Sequence, residues 1–261
     1  GLFLGLEDDD PKLSGSSLGQ RWLSYFQSGN QAPISREYVQ MIERQKEIET
    51  LPKDFNRSAW SKLLGFAERY NEPGVFSALI GFEWTSMIDG DNLHRVVVYR
   101  DGMTKARKML PFSALDSPDP EDLWKFMEKY EGSTGGQVIA IPHNGNVSNG
   151  VMFSDKRVDG SDFDKTYTAL RQRWEPLYEV TQVKGDAEAH PYLSPNDEYA
   201  NFETWDQGNL RMEPKEKNML QGEYARSALN NGLALSQKFG VNPFKFGLVG
   251  GTDTHLSLIH I

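Results

Sequence analysis

No cysteine occurs anywhere in the 261 residues. Disulfides and thiolate ligands are thereby excluded, and any metal must be held by His, Asp and Glu. A basic face is missing too. The 28 Lys and Arg stand against 37 Asp and Glu, a net charge of −9, which argues against nucleic acid as the main partner. No apolar run approaches the ~20 residues that a membrane-spanning helix requires, and no internal repeat, low-complexity tract or signal peptide is visible. What is present, 38% hydrophobic and 25% charged residues, suits a globular chain that buries a substantial core as one domain. Compartment is left open by these features.

The ends raise an expectation of their own. Gly1 opens the chain without a methionine, part-way through an element, and Leu256-Ser-Leu-Ile-His-Ile261 resembles the translation of a transposon-derived sequencing adapter. The expectation is an internal fragment whose domain spans residues 1–255, with residues 256–261 foreign. His260 then carries no functional argument.

Along the chain, Glu7-Asp-Asp-Asp10 reads as a solvated acidic surface. A helix is expected near Leu18–Phe26. Ser35 can cap a second helix, which carries Tyr38, Val39, Met41, Ile42 and Ile48 and ends at Pro52. Asn56 can cap a third, with Trp60, Leu63, Leu64 and Ala67 at helical spacing. The pattern then turns strand-like. Phe76–Trp84 is an apolar run that carries Glu83 at its end, and Leu93–Tyr99 is dense in β-branched residues. Asp119-Pro120 opens a helix, Gln137–Ile141 forms a strand running into Pro142-His143-Asn144, and residues 146–165 form a loop over the site mouth. A helix at Lys165–Trp174, a strand at Leu177–Gln182, an irregular stretch at 191–222 and a helix at Glu223–Phe239 closed by Gly240 complete the pattern.

The last segment, Phe246-Gly-Leu-Val-Gly-Gly-Thr-Asp253-Thr-His255, reads as a buried strand that ends in glycines. Asp253 and His255 at i, i+2 fall on one side of an extended chain. Strands alternating with helices imply a largely parallel sheet, and ligands in such folds gather beyond the carboxyl ends of the strands. Glu83, His143 and the Asp253/His255 pair all stand at that end. Hard oxygen beside imidazole nitrogen suits zinc, manganese or iron. Of the four histidines other than His260, His94, His143 and His255 lie in or beside the strand-end segments, while His190 reads as an exposed loop residue.

Gly81-Phe-Glu83-Trp-Thr, Asn92-Leu-His94-Arg, Ile141-Pro-His143-Asn and Gly251-Thr-Asp253-Thr-His255 together resemble the later metal motifs of the polymerase-and-histidinol-phosphatase (PHP) superfamily. More closely, they resemble a domain-of-unknown-function family within it. The resemblance implies an α/β fold, a distorted (β/α)7 TIM-like barrel with its N-terminal β/α units missing here. It also implies a two- or three-metal cluster. Glu83 would bridge two metals, His94 and His143 would bind the second, Asp253 the first and His255 the third. The superfamily's opening His-x-His and Asp-His motifs are absent, so this chain would carry about half of the ligand set. Taken this way, the protein is a metal-dependent hydrolase and most simply a phosphoesterase of a small anionic ester, which activates water with divalent zinc, manganese or iron. The alternatives are a non-catalytic metal-binding barrel module or a hydrolase of an amide-type bond. Arg95, Asn144, Asn146 and Lys184 are candidate substrate-binding residues, and Glu188 a supporting acid. Arg95 could equally form a salt bridge on the opposite face of its strand.

Overall fold

The computed structural model describes residue 6, residues 10–44 and residues 51–253. It is a mixed α/β structure with small sheets, and no closed barrel forms among the described residues. The chain divides into two compact units. The first takes residues 1–82, 98–118 and 125–138, and the second takes 83–97, 119–124 and 139–261.

In the first unit, helices α1 (Ser17–Gln27), α2 (Ala32–Arg44) and α3 (Lys53–Tyr70) supply most of the core. Ser16 caps α1 by accepting a hydrogen bond from the Gly19 N–H at 3.0 Å. Leu13, Leu18, Trp22, Ile34, Met41 and Phe55 pack into one buried cluster. Two of these helices start earlier than expected: α2 at Ala32 rather than after Ser35, and α3 at Lys53 rather than after Asn56. Pro52 explains the second shift, because its fixed φ of −56° leads directly into the helix. Asp10 departs from the solvated reading of the acidic run. It is buried, and its carboxylate accepts from Ser58 Oγ at 3.1 Å. A short helix α4 (Met103–Ala106) follows, and α5 (Pro120–Thr134) begins at the expected proline. Trp60, Phe82, Tyr99, Tyr130 and Phe126 form a chain of ring contacts with centroids 4.8–6.3 Å apart.

The strands are β1 (Gly81–Trp84), β2 (Met87–Ile88), β3 (Asp91–Asn92), β4 (Arg95–Tyr99), β5 (Val138–Pro142), β6 (Leu177–Gln182), β7 (Gly185–Asp186) and β8 (Gly247–Gly250). One sheet has the order β1-β4-β5 and another β7-β6-β8, with β2 and β3 forming a hairpin. In the second unit β8 runs parallel to β6, and a single parallel bridge between His143 and Glu179 links the end of β5 to β6. Helices α6 (Lys165–Trp174) and α7 (Ala225–Phe239) complete this unit. α7 ends at Gly240 in the left-handed conformation, φ 75°.

Two expectations for the strands are corrected. β1 is only four residues long, so most of the apolar run from Phe76 lies outside a strand, and Phe76 and Leu79 are exposed. β8 is not a buried strand either: Leu248 is exposed and only Val249 is partly covered, since β8 is hydrogen-bonded to β6 alone among the described residues.

Candidate metal centre

Three segments remote in sequence each deliver one donor atom within the second unit. Glu83 lies on β1, His94 immediately ahead of β4 and His143 immediately after β5. Strand alternation separates His94 from its neighbour: Arg95, Val97 and Tyr99 make the buried face of β4, which leaves His94 on the opposite side. His94 Nδ1 and His143 Nε2 lie 3.0 and 3.1 Å from the same oxygen, Oε1 of Glu83. The two imidazoles meet edge to face, 5.8 Å between centroids. The three donor atoms lie within 4.8 Å of one another.

This arrangement has a definite electrostatic requirement. An imidazole nitrogen facing a carboxylate oxygen at 3 Å must carry a proton or share a cation with it, because two lone pairs repel. The other ring nitrogen of His143, Nδ1, faces the Ile141 carbonyl oxygen at 3.4 Å. Assigning the ring proton to Nδ1 leaves the Nε2 lone pair directed at Glu83, the orientation in which backbone carbonyls commonly fix metal-binding histidines. Donors about 2.1 Å from one tetrahedral ion would stand about 3.4 Å apart, a few tenths of an ångström beyond the separation of each imidazole nitrogen from Glu83 Oε1. The residues fit a divalent cation.

With no ion among them, the ring nitrogens facing Glu83 instead carry the protons. In that form burial raises the Glu83 carboxyl, but hydrogen bonds from His143 and His94 outweigh it and hold Glu83 far below the usual carboxylate range. Burial lowers His94 from its ordinary value, and the charges of His143 and Lys184 add to this against the opposing pull of Glu83. A lowered imidazole remains neutral, the form that can bind a metal.

The loop after β5 is held from several sides. Asn92, buried on β3, donates through Nδ2 to the carbonyls of His143 (2.8 Å) and Asn144 (3.0 Å). Asn144 takes the left-handed conformation, φ 53°, and turns the chain beneath His143. Gly145 follows, where a Cβ would come within 2.2 Å of the Glu223 carbonyl and 2.6 Å of the Tyr178 hydroxyl. Only glycine permits that approach. Below the loop, Lys215 Nζ lies 2.9 Å from both carboxylate oxygens of Glu223, and both side chains are buried.

The other expected site residues are distributed as follows. Asp253 is not one of the three converging donors. It lies beyond β8 with φ 46°, and its carboxylate accepts from Lys184 Nζ. His255 lies outside the described residues. Arg95 is buried in a core ion pair, its Nε 3.0 Å from Glu175 Oε1 and its guanidinium 5.8 Å from the Trp84 ring. Asn144 and Asn146 are both buried. Asn146 donates to backbone carbonyls, while Asn144 Oδ1 has no hydrogen-bond partner among the described residues. Glu188 pairs at the surface with Arg226 at 3.1 Å. His190 is a correction: it is buried, with Nε2 3.1 Å from Asp206 Oδ2 and its ring against Tyr224.

Glu179 is the residue sequence reasoning passed over. It sits on β6, bridges to His143 through the backbone, and brings its carboxylate to about the position that a Cβ on Gly251 would touch at 3.0 Å. Burial raises its carboxyl, the Asp253 charge adds to this, and His143 and Lys184 oppose it. Glu179 is the third of six residues in β6, so a rule that looks for carboxylates at strand ends passes over it.

Comparison with known proteins adds a family but no precedent. A family model described as "Protein of unknown function (DUF3604)" matches residues 1–260. No curated protein matches the chain, and no solved structure does.

Proposed function

The chain belongs to the DUF3604 family of proteins of unknown function, and from its own residues we propose that it is a metal-dependent hydrolase, most simply a phosphoesterase. The observation that carries this reading is the pairing of two imidazole nitrogens with one carboxylate oxygen at 3.0 and 3.1 Å. The motif likeness to the PHP superfamily supports it. So does the succession β1-β4-β5, which the His143–Glu179 bridge extends to β6 and β8. We read these strands as part of a distorted (β/α)7 barrel.

Glu83, His94 and His143 would hold zinc, manganese or iron, with Asp253 and His255 completing a cluster of two or three ions. Such ions supply Lewis acidity toward a phosphoryl oxygen and acidify water. The chain's own residues do the rest. Glu83 stays charged and sets the orientation of both imidazoles. Asn92 fixes the backbone on which His143 stands. Lys184, the cation beside Asp253, would meet a non-bridging oxygen of an anionic ester. Glu179, a carboxyl raised by burial, takes a proton from the attacking water and returns it to the leaving oxygen.

The test is metal analysis of the full-length protein together with a screen of phosphomonoesters and phosphodiesters. The expected result is stoichiometric metal and turnover, both lost in His143→Ala and Glu83→Gln. Full metal loading without turnover on any ester would replace the enzyme with the metal-binding module.

A further inference from the structure

The segment beside Lys184 carries side chains that the core does not use. Tyr192, Tyr199, Phe202 and Trp205 are all exposed, and clustered apolar exposure commonly marks a binding surface. Tyr192 is already occupied by Lys217, whose Nζ lies 5.2 Å from the ring centroid. Trp205 differs from the others because its backbone is tied to residues around the candidate metal centre. Buried Asn146, three positions after His143, donates through Nδ2 to the Lys184 carbonyl at 3.0 Å and the Trp205 carbonyl at 3.3 Å. Asp186 forms a bridge with Thr204.

Gly185, with φ 103°, brings the two segments closer still. A Cβ there would stand 2.7 Å from Trp205 Cβ, so a side chain at 185 would push the tryptophan away. Lys184 meanwhile reaches Asp253. One short stretch thus carries the Lys184 cation and, at the next residue, lies against the root of the Trp205 side chain. Trp205 is 40% exposed, and no ring contact or hydrogen bond engages its indole among the described residues.

Resting on the hydrolase reading above, we propose that Trp205 is a specificity-determining residue, taking a planar aromatic group of the substrate on its indole face while Lys184 meets the anionic ester. Stacking on an exposed ring is tolerant of the group's identity and changes affinity by roughly tenfold or more. The substrate class implied is an aryl or nucleobase-bearing phosphate ester rather than an alkyl one.

Phenylphosphonate and methylphosphonate, which resist hydrolysis, distinguish the two classes. Each is titrated calorimetrically into the manganese-loaded full-length protein, native and with Trp205→Ala or Trp205→Phe. The native protein is expected to bind the phenyl compound about tenfold more tightly than the methyl. Trp205→Ala should erase that preference while leaving methylphosphonate affinity and metal content unchanged, and Trp205→Phe should retain most of it. If methylphosphonate binds but the native protein shows no phenyl preference, or Trp205→Ala preserves one, this proposal alone is overturned. If neither compound binds the metal-loaded protein, the phosphoesterase reading falls together with it.

Discussion

Asn92 and Glu223 are the single side chains on which the candidate site's loop depends most. Asn92 donates to the carbonyls of two successive residues, His143 and Asn144, the latter also accepting from the Val147 N–H at 3.2 Å. Asn92→Ala leaves both without that donor in a buried setting, at a cost of about 1–3 kcal/mol. Loss of a supporting hydrogen bond of this kind typically weakens metal affinity by about 10–100-fold. Metal titration of the folded variant measures this, and unchanged affinity would show that Asn92 supports only the fold. Glu223 acts through pH. Burial pushes its carboxyl from 4.5 up to about 7, against Lys215 and the N–H groups of Asn149 and Gly150. A carboxyl that binds its proton more tightly in the folded state stabilises the fold fully below its unfolded value. That stability is lost as pH rises through the folded value. Between pH 4.5 and about 7 this group therefore removes at most about 3 kcal/mol. Glu223→Gln should flatten the decline in melting temperature over that window, and a decline of native steepness would contradict the assignment.

At the scale of elements, close approaches and one buried ion cluster hold the second unit together. Glu175, just past α6, is paired with Arg95 Nε at 3.0 Å, Arg171 Nε at 3.2 Å and the Trp124 indole N–H at 3.1 Å, and all three charged side chains are buried. Glu175→Ala would strand two buried guanidinium groups, so a loss of about 3–5 kcal/mol in denaturant unfolding is expected. Gly145→Ala should also destabilise, by about 1–3 kcal/mol, because its new methyl meets backbone and hydroxyl oxygen rather than a flexible side chain. Much at this scale was legible in the sequence. α6 and β6 occupy the expected residues, since Asp164 caps the helix by accepting from Tyr167 N–H at 2.7 Å and Pro176 separates helix from strand. The failures have local causes. Phe76–Ile80 has the composition of a strand, but Glu72 and Phe76 close a local turn instead. His190 looked like a loop histidine because its partner Asp206 is sixteen residues away, and nothing in the local pattern signals that pairing.

For the molecule as a whole, the candidate donors were legible and their arrangement was not. Glu83, His94 and His143 could be picked out one by one as polar residues at strand ends, but the register that brings their atoms together depends on contacts up to 60 residues apart. Asp253 shows the limit from the other side: its motif is clear, while its partner in the structure is Lys184. The absence of cysteine and the acidic balance, −9 overall, leave oxygen and imidazole donors as the chain's only strong ligands for a divalent ion. The central claim is that one such ion sits among three of them. It is tested most directly by anomalous diffraction from crystals of the full-length protein grown with manganese or zinc. The account predicts a peak about 2.0–2.3 Å from a Glu83 oxygen, His94 Nδ1 and His143 Nε2. Clear density for these three side chains in direct contact, with no peak among them at saturating metal, would contradict it.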